Sequence, residues 1–178
     1  AQVRFAAKAG GLTQARIAAG QADAVLACDL VVAAGDDALQ TVSRGRTRIV
    51  ANLAAAPIAA QLKNPDADMP VSVLLDKLGK AAGGARPDLC DARAIAEAAL
   101  GDAMAANVVM LGFAWQRGIV PVGWEAIETA IELNRVAIDS NLLAFRLGRL
   151  AAADPVWLDE ALWPPGPVTR HARCEVED

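Results

Sequence analysis

The sequence predicts an α/β fold in three layers: a short, mainly parallel sheet from the N-terminal half, covered by helices, and a helical C-terminal half. Three stretches carry that expectation. Ala22 to Ala34, ADAVLACDLVVAA, is a nearly continuous apolar run, as expected of a strand buried on both faces of a parallel sheet. Arg46 to Asn52, RTRIVAN, reads as the next strand. Leu100 to Ala153 reads as three consecutive helices, the first of them apolar almost all the way round. It has no charge between Asp102 and Arg117, and Met104, Val108, Val109, Met110, Leu111, Phe113 and Trp115 point in every direction. A helix without a polar face is normally buried on several sides. The uncharged run is also shorter than the ~20 residues that span a bilayer, which favours a core helix.

Taken in order, Gln2 to Phe5 is expected as a short strand running toward Gly10 and Gly11, and Gln14 to Ile17 as another. Within Ala22 to Ala34, Cys28-Asp29 interrupts the apolar run, so a short turn or strand start is expected there. Gly35-Asp36-Asp37 is a turn and helix cap, with Ala38 to Val42 a short helix. A turn at Gly45 leads into the second strand, which places Asn52 at its C-terminal end, where open α/β sheets collect ligands. Leu53 to Leu62 is alanine-rich and broken by Pro57, and Asn64-Pro65-Asp66 is a turn before an exposed loop. Pro70 opens a helix with Leu74, Leu75 and Leu78 on one side. Ala81 to Pro87 is a glycine-containing turn, Leu89-Cys90-Asp91 a short connection or strand, and Asp91 an N-cap for Ala92 to Leu100. In the second helix of the C-terminal half, Trp124, Ile127, Ile131 and Asn134 share one side while Glu125, Glu128 and Glu132 take the other. In the third, Ile138, Leu142, Phe145 and Arg149 repeat that spacing. Trp157, Leu158, Leu162 and Trp163 form a short helix, and PPGPVTRHARCEVED is a proline-rich, charged linker or tail. The division expected is one domain over residues 1–155 and a tail over 156–178.

The 178 residues fit one domain with a proper core. An apolar fraction of 54% and a positive mean hydropathy exclude a disordered chain. The net charge of −4, with no basic stripe, argues against a nucleic-acid partner. The odd count and wide spacing of Cys28, Cys90 and Cys174 argue for reduced thiols in a cytoplasm over a disulfide framework. The same spacing excludes a cysteine-ligated iron–sulfur cluster within this chain. No signal peptide is expected, and the abrupt start without methionine reads as a fragment of a longer chain.

Little chemistry is visible. The sequence has neither a G-x-G-x-x-G nor a G-x-x-x-x-G-K-[ST] phosphate loop. His171 alone, in the tail, cannot serve a triad, and no zinc ligand set is present. The turn carboxylates Asp36-Asp37, Asp66/Asp68 and Asp88/Asp91 default to capping and solvation. No catalytic residue and no metal site are therefore expected. Asn107, Gln116, Asn134 and Asn141 interrupt apolar helices. Each defaults to a buried hydrogen bond between helices, and an interface role is the alternative, chiefly for Asn107 and then Gln116.

Two stretches carry a resemblance. LGDAMAANVVMLGFAWQRGIVPVGWEAIETAIELN with AFRLGRLAAADP, and CDLVVAAGDDAL, closely resemble the gamma domain of 2-oxoacid:ferredoxin oxidoreductases, with the indolepyruvate type the best match. The resemblance runs from about Ala6 to Pro155 and is most specific at Cys28–Leu39 and Leu100–Pro155. The segment AAKAGGLTQARI is similar to the family's glycine-containing loop. Gly123 stands where the family carries a serine-like cap, and Arg135 where it carries glycine after ELN. The strand, glycine-rich turn and helix that open the family's domain do not precede Ala1; either they lie outside this piece or the protein departs from the family there.

By resemblance, the assembled enzyme oxidatively decarboxylates a 2-oxoacid such as an aryl pyruvate, forms an acyl-CoA and passes electrons to ferredoxin. Thiamine diphosphate, Mg and iron–sulfur clusters belong to its other domains, and this domain helps shape the coenzyme A side. The chain alone is expected to be inactive and to bind none of these groups. Its partners would be the thiamine-diphosphate-binding and ferredoxin-like domains, together with further copies of itself in a homo-oligomer. The alternative is a non-catalytic, self-associating α/β binding protein. A nucleotide-binding module would need a ligand near Gly10, Gly11 or Asn52.

Overall fold

The structure, a computed structural model, describes residues 1–8, 11, 12, 14, 16–53 and 71–164. The expectations for the alanine-rich segment after Leu53, for the Asn64-Pro65-Asp66 turn, for Pro70 and for the tail with His171 and Cys174 lie outside the described residues.

The sheet has three strands: β1 (Ala24–Ala27), β2 (Arg48–Asn52) and β3 (Asp88–Cys90). They lie side by side in chain order and run parallel, with Val25 opposite Ile49, Ala51 opposite Leu89, and Asn52 opposite Cys90. The central strand shows why the fold is layered. Ile49 and Ala51 pack into one core with Leu30, Leu74 and Leu78, whereas Val50 packs into the other with Ile95, Val109, Met110 and Phe113. Alternate side chains of a strand face opposite sides, so this short apolar strand is covered on both.

The first core is built by α1 (Leu30–Ala33), α2 (Asp36–Leu39) and α3 (Val71–Ala81). Here the structure corrects the first expected strand, which ends at Ala27. The carboxylate of Asp29 accepts from the backbone N–H groups of Val31 and Val32, at 2.9 and 3.1 Å, and turns LVVA into one helical turn. An aspartate that satisfies two orphan amides starts a helix even in a β-branched run. Helix α2 begins two residues before the expected start, with Asp36 and Asp37 in its first turn, where the helix dipole favours carboxylates.

The second core is larger. Asp91 caps α4 (Ala92–Leu100) by accepting from the Ala94 N–H at 3.0 Å, as the sequence predicts. A 3₁₀ turn over Ala103–Ala105, capped by Asp102, then precedes α5 (Ala106–Gln116), in place of a single helix from Asp102. Val109, Met110, Phe113 and Ala114 of α5 are buried, as a helix without a polar face requires, whereas Met104 in the turn is 83% exposed. Helix α6 (Trp124–Asn134) ends at Arg135 with φ 56°, a left-handed conformation at the position where the family carries glycine. Helices α7 (Ile138–Ala153) and α8 (Pro155–Leu162) complete the layer. Leu158 of α8 is buried in the same core as Phe113.

Gln2–Phe5 and Gln14–Ile17 form no strand among the described residues. The two segments do meet, but through side chains: Arg4 Nη1 donates to the Gln14 carbonyl at 2.9 Å, and the Ile17 N–H to Gln2 Oε1 at 2.8 Å. Polar side chains here take up the backbone groups that a ladder would have paired.

Candidate functional site at the C-terminal edge of the sheet

Asn52 is the last residue of β2, as expected, and is 4% exposed. Its Nδ2 donates to the carbonyl of Cys28 at 3.3 Å, and its Oδ1 accepts from the N–H of Ala92 at 3.2 Å. It therefore links the residue after β1 to the first turn of α4, across the edge where a parallel sheet binds ligands. At the opposite end, Thr47 plays a matching part. Its hydroxyl donates to the Ala22 carbonyl at 2.6 Å and accepts from the Ser43 N–H at 2.7 Å.

Beside Cys90, which pairs with Asn52 across the sheet, lies a cavity of about 390 Å³, lined by Cys90, Ile95, Phe113, Leu158 and Trp163, with Asp91 and Asp159 also in its wall. Its character is apolar. Burial, reinforced by the charge of Asp91, pushes the Cys90 thiol up to about 12. Burial, and then the charge of Asp29, raises Cys28 as well. Both sulfurs stay protonated near neutral pH, which suits neither a nucleophile nor a metal ligand. Among the described residues, no group of three or more His, Cys, Asp or Glu is placed to hold a metal ion. No helix among them is long and apolar enough to cross a membrane.

Among the described residues, none of the other sequence-selected site residues lines this cavity. Gly10 lies outside the described residues. Gly11 closes a local turn on the Lys8 carbonyl at 3.1 Å, beside Ala6, with no contact to the neighbourhood of Asn52 among those described. Asn107 and Gln116 are exposed, which corrects the expectation of a buried interhelical hydrogen bond at each. Gln116 does bridge two helices at the surface, where its Oε1 accepts from Arg149 Nε at 3.2 Å.

That contact exposes a cluster which sequence reasoning missed. The Arg149 guanidinium lies 4.7 Å from the Trp115 ring centroid and 6.0 Å from that of Trp124. Trp115 is itself fixed, because its Nε1 donates to the Val122 carbonyl at 2.7 Å and its ring meets Phe145 edge-on at 6.1 Å. Arg117 stands 5.3 Å over Phe113. The available signal was Arg149 itself, a charge on the same stripe as Ile138, Leu142 and Phe145.

Neither the curated proteins nor the solved structures yield a match to this chain. A family model does match: that of pyruvate ferredoxin/flavodoxin oxidoreductase, over residues 1–151. The matched span takes in the whole sheet, the first core, all of the larger core but the part α8 contributes, and nearly all of α7. The chain belongs to the pyruvate ferredoxin/flavodoxin oxidoreductase family.

Proposed function

We propose that this chain is the gamma-type domain of a 2-oxoacid:ferredoxin oxidoreductase of the indolepyruvate-like type. The observation that carries the reading is the family match over residues 1–151, laid on a parallel α/β sheet. The assembled enzyme oxidatively decarboxylates an aryl-pyruvate-like 2-oxoacid in the cytoplasm. It releases carbon dioxide, forms an acyl-CoA and delivers the electron pair to ferredoxin. Thiamine diphosphate with Mg and the iron–sulfur clusters sit on its other domains, and copies of the whole associate into an oligomer.

The donor chemistry supports that division of labour. A cluster is held by a set of cysteine thiolates, and the two described cysteines are buried or half-buried thiols held protonated. Asn52, at the ligand-binding edge, turns its amide toward the Cys28 carbonyl and the α4 N-terminus. These residues do not fit the cofactors, and this chain contributes shape and contact surface.

Reconstitution tests the proposal. The chain alone, given thiamine diphosphate, Mg, coenzyme A and indolepyruvate, gives no ferredoxin reduction. Mixed with its thiamine-diphosphate-binding and ferredoxin-like partners, it gives coenzyme A-dependent reduction that is faster with indolepyruvate than with pyruvate. Turnover by the chain alone, or full activity of the partners without it, overturns the reading.

A further inference from the structure

We infer that the apolar cavity at the carboxyl end of β3 is a binding site for a small organic cation, an ammonium ion carried on an aromatic ring. The inference uses this cavity alone and stands independently of the gamma-domain reading above.

Position and lining are the first argument. The cavity lies where open parallel sheets collect ligands, between the end of β3, the first turn of α4 and helix α8. Its volume of about 390 Å³ falls within the ~300–1,000 Å³ of small-molecule sites. Ile95, Phe113 and Leu158 are buried in its wall, and Trp163, 45% exposed, stands at its lip. Cys90, also buried there, makes no side-chain hydrogen bond among the described residues. Aliphatic and aromatic walls of this kind gain most from covering a ring.

Charge then selects the class of ligand. Among the described residues, the charged members of the wall are Asp91 and Asp159, both acidic and both exposed. Arg117 stands over the Phe113 ring but is not part of the wall. The Asp159 carboxylate has no hydrogen-bond or ion-pair partner among the described residues. The feature that would draw an anion to this edge is the N-terminus of α4, and the chain fills it with its own oxygens. The Ala92 N–H donates to Asn52 Oδ1 at 3.2 Å, and the Ala94 N–H to Asp91 Oδ1 at 3.0 Å. A carboxylate or phosphate ligand therefore meets two like charges and no cation. An ammonium ion meets two opposite charges at the rim of an apolar hollow, which focuses their field. A bare metal ion finds too few ligands among the described residues and would leave the apolar wall uncovered.

Titration calorimetry of the full chain tests this with three probes of one shape and different charge: 2-phenylethylamine, 2-phenylethanol and phenylacetate. The amine binds most tightly, the alcohol about 3-fold more weakly, and phenylacetate at least about 10-fold more weakly than the amine. Added salt narrows the gap between amine and alcohol. Asp159→Asn, a change at an exposed side chain, weakens the amine about 3-fold and leaves the alcohol unchanged. Ala94→Leu adds bulk to the wall from a half-buried position on α4 and weakens amine and alcohol alike at least about 10-fold. Thermal unfolding of each variant is the fold control. No binding of the amine by wild type overturns the inference, and so does equal affinity for amine and phenylacetate. Wild-type affinity for the amine in Asp159→Asn, or in a stably folded Ala94→Leu, overturns it as well, because the probe then sits elsewhere on the chain. Each of these results leaves the gamma-domain reading intact.

Discussion

Asn52 and Cys90 sit opposite each other at the end of β2 and β3, and the chemistry of each is set by burial. Asn52 joins the carbonyl of Cys28 to the N–H of Ala92, so truncating it strands buried polar groups on two elements. Asn52→Ala is expected to cost about 3 kcal/mol, since an unsatisfied buried group costs ~1–3 kcal/mol; urea unfolding of the variant checks this. Cys90 predicts a pH dependence. Its folded-state value of about 12 lies above the ordinary 9.0, so an unfolded chain surrenders this proton first. Below pH 9 the contribution to stability is complete. Between pH 9 and 12 the unfolded state holds fewer protons, and stability falls as pH rises. Melting temperatures measured from pH 8 upward should therefore drop more steeply for wild type than for Cys90→Ala, with Cys28 contributing the same downward slope to both.

At the scale of elements, the fold depends on how closely α5 and α7 cross. Gly112 has the Phe145 carbonyl oxygen where a Cβ would stand, and Gly148 has the Val109 carbonyl oxygen in the same place. Each backbone lies in the gap left by the other's missing side chain, flanked by Ala114, Ala144 and Ala151, all buried. Such an approach brings Cα–H groups against carbonyls and packs Phe145 and Met110 with full contact. A methyl group at either glycine must push two helices apart. Gly112→Ala and Gly148→Ala are each expected to cost about 3 kcal/mol or more, or to prevent folding. Gly79→Ala makes the contrast, because its added Cβ meets only the Ala85 carbonyl at 3.4 Å. There the better helix propensity of alanine should stabilise α3 by about 0.5–1 kcal/mol. Thermal unfolding of the three variants separates the two kinds of glycine.

For the whole molecule, the decisive feature is a sheet of three short strands between two cores of unequal size. The larger core takes in β2, β3, α4, α5, α7 and α8, and Leu158 brings α8 into it. Leu158→Ala should cost about 3 kcal/mol, within the range for emptying a buried leucine site. Because the same cavity is walled by Cys90, Phe113 and Leu158, that variant should also speed alkylation of the Cys90 thiol, which thiol labelling at pH 8 measures. Unchanged stability in Leu158→Ala would show that α8 is an appendage and not part of the folded unit.

The sequence by itself determined the parallel α/β class, the strand ending at Asn52, the cap at Asp91 and the three C-terminal helices. Those features rest on local chemistry: an apolar run, a capping carboxylate, a period of three to four residues. It misread Ala22 to Ala34, because periodicity registers apolar character and not the Asp29 carboxylate that captured two amides and ended the strand. It placed strands at Gln2–Phe5 and Gln14–Ile17, where side chains took the backbone partners. Of the candidate site, Asn52 was legible at its strand end, but its bridging role and the apolar cavity beside Cys90 were not. Asn107 and Gln116 read by default as buried hydrogen bonds, with an interface role as the alternative, on helices whose facing partners the sequence does not name. Only the tertiary structure set Gly112 against the Phe145 backbone and Gly148 against that of Val109, turned Asn107 outward, and brought Arg149 between Trp115 and Trp124. Contacts between residues far apart in the chain depend on how helices cross, and helix crossing is settled by packing and not by any local pattern.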